Sequence, residues 1–152
     1  MPEHVAIVGS REGADLDQVE QFVRALWEKY PDTILISGGA DGVDKTAERV
    51  WLELGGALES YRPVSFKDSW VVQVWELGPD YTSVYLCVDF PTFENFKSAA
   101  IARDTLIAEK ADRIVAFMRE GGSRGSNFTA EWGEESQPKY RRRYYAESAV
   151  AA

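Results

Sequence analysis

Ile34-Leu35-Ile36-Ser37-Gly38-Gly39-Ala40-Asp41-Gly42-Val43-Asp44 is the stretch that decides the fold. An apolar run that opens into glycines and passes at once into a helical pattern is how a buried parallel strand hands the chain to a crossover helix. Val43, Ala47, Val50, Trp51 and Leu54 make one stripe of that helix, and Gly55-Gly56 form its C-terminal stop. The same pattern stands upstream. His4 to Val8 is an apolar run closed by Gly9-Ser10-Arg11, and Leu16, Val19, Phe22, Val23, Leu26, Trp27 and Tyr30 then recur at helical spacing until Pro31. Ala57 to Pro63 offers a third, weaker strand. Two strand-helix repeats with short loops predict right-handed crossovers and a Rossmann-like three-layer α/β sandwich around a mostly parallel sheet.

From residue 64 to 92 the pattern turns irregular and reads as an insertion. Its Val71 to Trp75 and Ser83 to Val88 portions suit a small hairpin, and its aromatic residues suit self-packing, a lid or a subunit contact. Helical spacing resumes at Glu94 with Phe96, Ala99, Ala100 and Ile107, on a helix that carries Arg103 and Asp104. A strand follows from Arg113 to Met118. The glycine-rich turn Glu120-Gly121-Gly122-Ser123-Arg124-Gly125-Ser126-Asn127 then opens a last helix through Phe128 to Trp132, and a polar, basic-aromatic tail occupies 133–152.

With 152 residues, 45% of them hydrophobic, the chain suits one domain over 1–152. A formal net charge of -8 disfavours nucleic acid and anionic membranes as partners. No apolar stretch is long enough to span a bilayer and the first strand leaves no room for a signal segment, so a cytoplasmic protein is expected. Cys87, the single cysteine, reads as a core residue. His4, the single histidine, reads as a strand-edge residue and leaves little for a metal site or a serine triad. No metal or cofactor is expected.

Three strands end in small or glycine-rich turns: Gly9-Ser10-Arg11, Ser37 to Gly42, and Gly121 to Ser126. In a parallel sheet such ends converge on one edge, where the backbone can approach a ligand and helix N-termini favour an anion. Arg11 and Arg124 add charged donors, and Ser10, Ser37, Ser123 and Ser126 add hydroxyls. Taken singly, each glycine needs no role beyond a tight turn. Three turns at equivalent positions point to a phosphate-bearing ligand. Neither GxxxxGK[ST] nor GxGxxG is present, which sets aside P-loop nucleotidases and ordinary dinucleotide dehydrogenases. Asp41 and Asp44 suit helix capping, and Asp44 equally suits ribose hydroxyls. Arg103 and Asp104 by themselves read as a solvated or internally paired couple.

Val5 to Arg11, Ile36 to Asp44, Ala99-Ala100-Ile101-Ala102-Arg103-Asp104, Ala111 to Phe117 and Gly121 to Ser126 together resemble the SLOG superfamily. That group contains the Lonely Guy phosphoribohydrolases and the DNA-processing protein A family. The resemblance is strongest to a small branch with G-S-R, G-G-A-x-G-x-D, R-N and G-G-x-x-G-T motifs. It implies a ligand pocket made by Gly9, Ser10 and Arg11, by Gly38, Gly39, Gly42 and Asp44, by Arg103, and by Gly122, Gly125 and Ser126. Asp104 stands where the branch has Asn, and Ser126 where it has Thr. Lonely Guy enzymes carry a glutamate where this chain has Thr129. Glu131 is the nearest acid, which leaves Glu131 and Asp44 as weak catalytic candidates. The fifth strand of such a domain is hard to find in the charged tail.

These readings lead first to a sensor or binding module for a nucleotide-derived small molecule, in a homo-oligomer. A hydrolase of the N-glycosidic bond of nucleoside monophosphates is the alternative, and single-stranded DNA binding the third.

Overall fold

The computed structural model describes residues 2–79, 81–86, 92–118 and the strand at 142–147. In chain order these form β1 (His4–Gly9), α1 (Leu16–Lys29), β2 (Ile34–Ser37), α2 (Val43–Leu54), β3 (Ala57–Phe66), β4 (Ser69–Gly78), β5 (Tyr81–Leu86), α3 (Phe96–Lys110), β6 (Arg113–Met118) and β7 (Arg142–Glu147). The strands make one sheet in the order β5-β4-β3-β2-β1-β6-β7. From β3 to β7 across β2, β1 and β6 every pairing is parallel, whereas β4 and β5 run antiparallel. This is the expected Rossmann-like architecture.

Both faces of the central strands are covered, and strict alternation divides their side chains between two cores. Val5 and Ile7 of β1 and Val115 and Phe117 of β6 join Val19, Val23 and Leu26 of α1 and Ala47, Val50 and Trp51 of α2. Ala6 and Val8, with Ile114, Ala116 and Met118, turn the other way to meet Ala102, Ile107 and Ala108 of α3. Three layers result because two helices follow strands on one side and the third crosses on the other.

Local chemistry sets the helix ends. The Asp15 carboxylate caps α1 by accepting from the Asp17 and Gln18 amides at 3.1 and 3.2 Å, and Asn95 caps α3 by accepting from Ser98 at 2.9 Å. Gly55 stops α2 in the left-handed conformation, φ 96°, as its sequence position predicts. Buried Trp51 packs edge-on to Trp27 at 5.4 Å and satisfies its indole N–H on the Ala57 carbonyl at 2.8 Å.

Two expectations change. Residues 64 to 86 are not irregular: β3, β4 and β5 form a regular meander that widens the sheet, with the anticipated hairpin inside it, Trp75 opposite Val84. β3 is ten residues long because its start pairs with β2 and nearly all of it pairs with β4. Trp70 and Phe93 exchange backbone hydrogen bonds of 2.8 and 2.7 Å, tying the start of α3 back to β4. The strand that was hard to find is β7, in the tail, parallel to β6 from Arg113↔Arg142 to Met118↔Glu147. A sheet edge tolerates charged residues that a central strand does not, so the tail carries little strand signal. Cys87 and the expected helix at 128–132 lie outside the described residues. Among the described residues no helix is long and apolar enough to cross a membrane.

Candidate functional site

Parallel pairing carries the C-terminal ends of β1, β2 and β6 to one edge of the sheet. The turns that follow β1 and β2 touch there. The Val43 amide donates to the Ser10 carbonyl at 3.3 Å. Gly42, φ 82°, lies so close to the first turn that a β-carbon on it would sit 2.4 Å from the Arg11 carbonyl oxygen. Gly9 meets the β6 backbone as tightly, since a β-carbon there would lie 2.2 Å from the Phe117 oxygen. These two glycines are required by backbone crowding, whatever else the edge does.

Asp44 does not cap α2 in the ordinary way. Gly42 is the N-cap, and the Asp44 carboxylate turns back into its own loop. One oxygen, Oδ2, accepts from the Gly38 amide at 3.2 Å and from the Ala40 amide at 3.4 Å. The Gly39 amide donates to the Ser37 hydroxyl at 3.2 Å. Three consecutive amides of this glycine turn are thus engaged within the chain. The amides of Asp41 and Gly42, beside the Arg11 turn, have no hydrogen-bond partner among the described residues. Asp44 is only 5% exposed. Burial pushes its carboxyl up to about 7, against the pull of Arg103 and the Ala40 amide, with Glu48 and Asp104 adding to the rise.

Arg103 and Asp104 are buried and paired: the guanidinium Nε donates to Asp104 at 2.6 Å, and another nitrogen donates to the Gly38 carbonyl at 2.6 Å. The couple therefore bolts α3 to the glycine turn across the top of the sheet. Arg11 is exposed and lies 5.7 Å from the centre of the Phe96 ring.

A second polar group, which the sequence did not single out, flanks the turn. Glu48 of α2 accepts from the Ser60 hydroxyl at 2.6 Å and from Arg62 at 2.8 Å. Arg62 stacks over Trp75 at 4.5 Å and lies against Gly39, whose absent β-carbon would meet it at 2.8 Å. Nothing in the local pattern marks Glu48 and Arg62 as partners, because they stand on a helix and a strand joined only by the fold. An open groove of about 480 Å³ runs from Gly42 along α2 past Lys45, Glu48, Arg49 and Arg62 to Leu16. Its walls carry three cations, each paired with a carboxylate: Lys45 with Asp41 at 2.9 Å, Arg49 with Glu20 and Glu53 at 3.4 Å, and Arg62 with Glu48 at 2.8 Å.

Of the anticipated site residues, the structure brings together Gly9, Ser10, Arg11, Ser37, Gly38, Gly39, Gly42, Asp44, Arg103 and Asp104. Gly122, Ser123, Arg124, Gly125, Ser126 and Glu131 lie outside the described residues, although β6 ends at Met118 on this same edge. His4 stands at the opposite edge, at the start of β1 and 3.5 Å from Glu59. Among the described residues no cluster of histidine, cysteine and carboxylates is arranged to hold a metal ion.

No family model and no curated protein matches this chain. Among solved structures, DNA processing protein A from Streptococcus pneumoniae is similar at a TM-score of 0.66 and 21% identity, over 95% of this chain and 50% of that one. DNA processing protein A from Helicobacter pylori, whose structure is described by its single-stranded DNA binding mode, is similar at 0.63 and 18%, over 95% of this chain and 65% of that one. The chain thus spans between half and two thirds of these structures and shares their fold.

Proposed function

We propose that the edge built by the Gly9–Arg11 and Ser37–Asp44 turns binds a small nucleotide-derived ligand through its phosphate. The observation that carries this reading is the junction at Gly42, where two strand-end turns abut and leave the Asp41 and Gly42 amides at a helix N-terminus, with Arg11 alongside. The groove leading away from Gly42 offers room for the rest of the molecule, between cationic side chains and the apolar Leu16 and Leu52. The order of the sequence motifs supports placing the chain in the SLOG superfamily.

Thermal-shift screening of nucleoside mono- and diphosphates tests this directly. A stabilising nucleotide is expected, and Arg11→Ala should abolish the shift without lowering the melting temperature of the unliganded protein. A hit whose effect survives Arg11→Ala removes the assigned edge.

Single-stranded DNA is a second reading, favoured by the fold shared with a DNA processing protein A described as binding it. The same amides and cations would then contact phosphodiesters. The hydrolase reading gains nothing from Asp44, which is buried and directed at its own loop.

A further inference from the structure

β1 lies between β2 and β6 in the sheet, and the chain leaves β1 through α1 on one face but reaches β6 through α3 on the other. Where parallel strands divide in this way, a crevice opens above their C-terminal ends between the helices of the two faces. The turn that follows β1 borders it and meets Gly42. From that junction the groove lined by Gly42, Lys45 and Leu52 leads away on the α2 face, whereas the Arg11 side chain reaches to Phe96 on the α3 face. We infer that the ligand is held by a phosphate in its middle rather than at its end. One part enters the α2 groove, and on the other side an aromatic base stacks between Phe96 and the Arg11 guanidinium, the arrangement of a dinucleotide joined through phosphates. This rests on the reading of the edge as a phosphate site and names the class of molecule.

Phe96 is the first residue of α3 and is 39% exposed, although the same helix buries the charged Arg103 and Asp104. It belongs to neither core. Its ring packs edge-on to Trp70 at 5.4 Å, and Trp70 stands on the part of the β3–β4 hairpin that runs on past the end of β2, where Ser37 pairs with Ser60 and β3 continues to Phe66. The two rings thus form a wall above the sheet edge. Arg24, Arg49, Arg62, Arg103 and Arg113 each hold a carboxylate, and Asp41, whose charge Arg11 feels, pairs with Lys45 instead. Arg11 has no carboxylate partner among the described residues. Its 5.7 Å separation from the Phe96 ring centre is close to the outer limit of about 6 Å for cation–π attraction. A flat ring entering between the two replaces this loose contact with two closer ones. The guanidinium keeps its edge donors for the phosphate while its face covers the base. A linking phosphate also carries less negative charge than a terminal one, which suits an edge where Lys45, Arg49 and Arg62 are already paired.

Stacking on an aromatic ring tolerates any base, so adenine compounds serve as probes. Calorimetric titration of the whole chain with ADP and with diadenosine diphosphate should show the dinucleotide binding about ten-fold more tightly. Phe96→Ala should remove that advantage, and Phe96→Trp should keep it. In the unsubstituted protein, nuclear Overhauser effects should connect the Phe96 ring protons with the adenine ring protons of the bound dinucleotide, a measurement that does not depend on a variant folding. Equal affinities for the two compounds, both lost in Arg11→Ala, overturn the two-sided ligand and leave the phosphate edge standing. A dinucleotide advantage that survives Phe96→Ala, or the absence of those Overhauser effects, overturns the stacking on Phe96 and again leaves the edge standing. Absent binding of both compounds, or binding indifferent to Arg11→Ala, removes the edge and this inference with it.

Discussion

Gly42 is pressed against the first turn so closely that a β-carbon on it would come within 2.6 Å of the carbonyl oxygen of Ser10. With φ 82° and ψ -120° it also holds a conformation that side-chain-bearing residues rarely adopt. Gly42→Ala therefore combines backbone strain with a clash against main-chain atoms that cannot swing aside. A loss of about 2 to 3 kcal/mol is expected in urea unfolding. Gly55→Ala, where the nearest atom to the added carbon is a Trp27 ring carbon at 3.8 Å, should cost only the strain of its left-handed backbone, about 1 kcal/mol. Equal losses at the two positions would show that the contact between the turns is not as tight as described.

The Glu48–Arg62 pair predicts a strong non-additivity. Glu48 is 8% exposed and Arg62 28% exposed, so Arg62→Ala leaves a nearly buried carboxylate with only the Ser60 hydroxyl to satisfy it. A cost on the order of 3 kcal/mol is expected. Glu48→Gln in the Arg62→Ala background should recover a large part of it, because the uncompensated charge is gone. Simple addition of the two single effects in a double-mutant cycle would mean that the pair is screened as at a surface.

Stability should carry the signature of Asp44. Its carboxyl is raised from the ordinary 3.8 to about 7, so between those values the folded chain keeps a proton that the unfolded chain has released. Its contribution to stability thus falls as pH rises through this window, by up to about 1.4 kcal/mol per unit, and levels off above it. Comparing urea midpoints of the parent and Asp44→Asn from pH 5 to 8 isolates this slope. Identical pH profiles would place the carboxyl in an ordinary, solvated state.

Lys67 has φ 56° in the two-residue turn between Phe66 and Ser69, and it bears the cost of a left-handed backbone on a residue with a side chain. Lys67→Gly should stabilise the β3–β4 hairpin, raising stability by a few tenths to about 1 kcal/mol. A loss of stability would mean that the lysine side chain, 5.5 Å from the centre of the Phe66 ring, contributes more than its backbone costs.

The two binding readings separate by partner. With net charge -8, a thymidine oligonucleotide is expected to show no binding by fluorescence anisotropy at 150 mM salt, under conditions where a mononucleotide raises the melting temperature. Tight, salt-sensitive oligonucleotide binding without a mononucleotide effect would transfer the edge to single-stranded DNA.

Hydrophobic runs and periodicity determined β1, α1, β2, α2 and β6, because each buries one face or both and so writes its period into the chain, whereas α3 carries a weaker stripe, burying Arg103 and Asp104 and leaving Phe96 and Ile101 exposed. Parallel order followed from the strand-helix repeats, and with it the meeting of Gly9-Ser10-Arg11 and Ser37 to Asp44 at one edge. Elements whose identity depends on a neighbour were less legible: β4 and β5 read as an irregular insertion, and β7 is stabilised by pairing with β6 rather than by a pattern of its own. Only the tertiary structure decided that Asp44 turns onto the Gly38 and Ala40 amides, that Arg103 bolts α3 to Gly38, and that Arg62 meets Glu48 beside Gly39. Those are contacts between elements distant in sequence or reversals within a loop, and their geometry is set by packing, to which local propensity is blind.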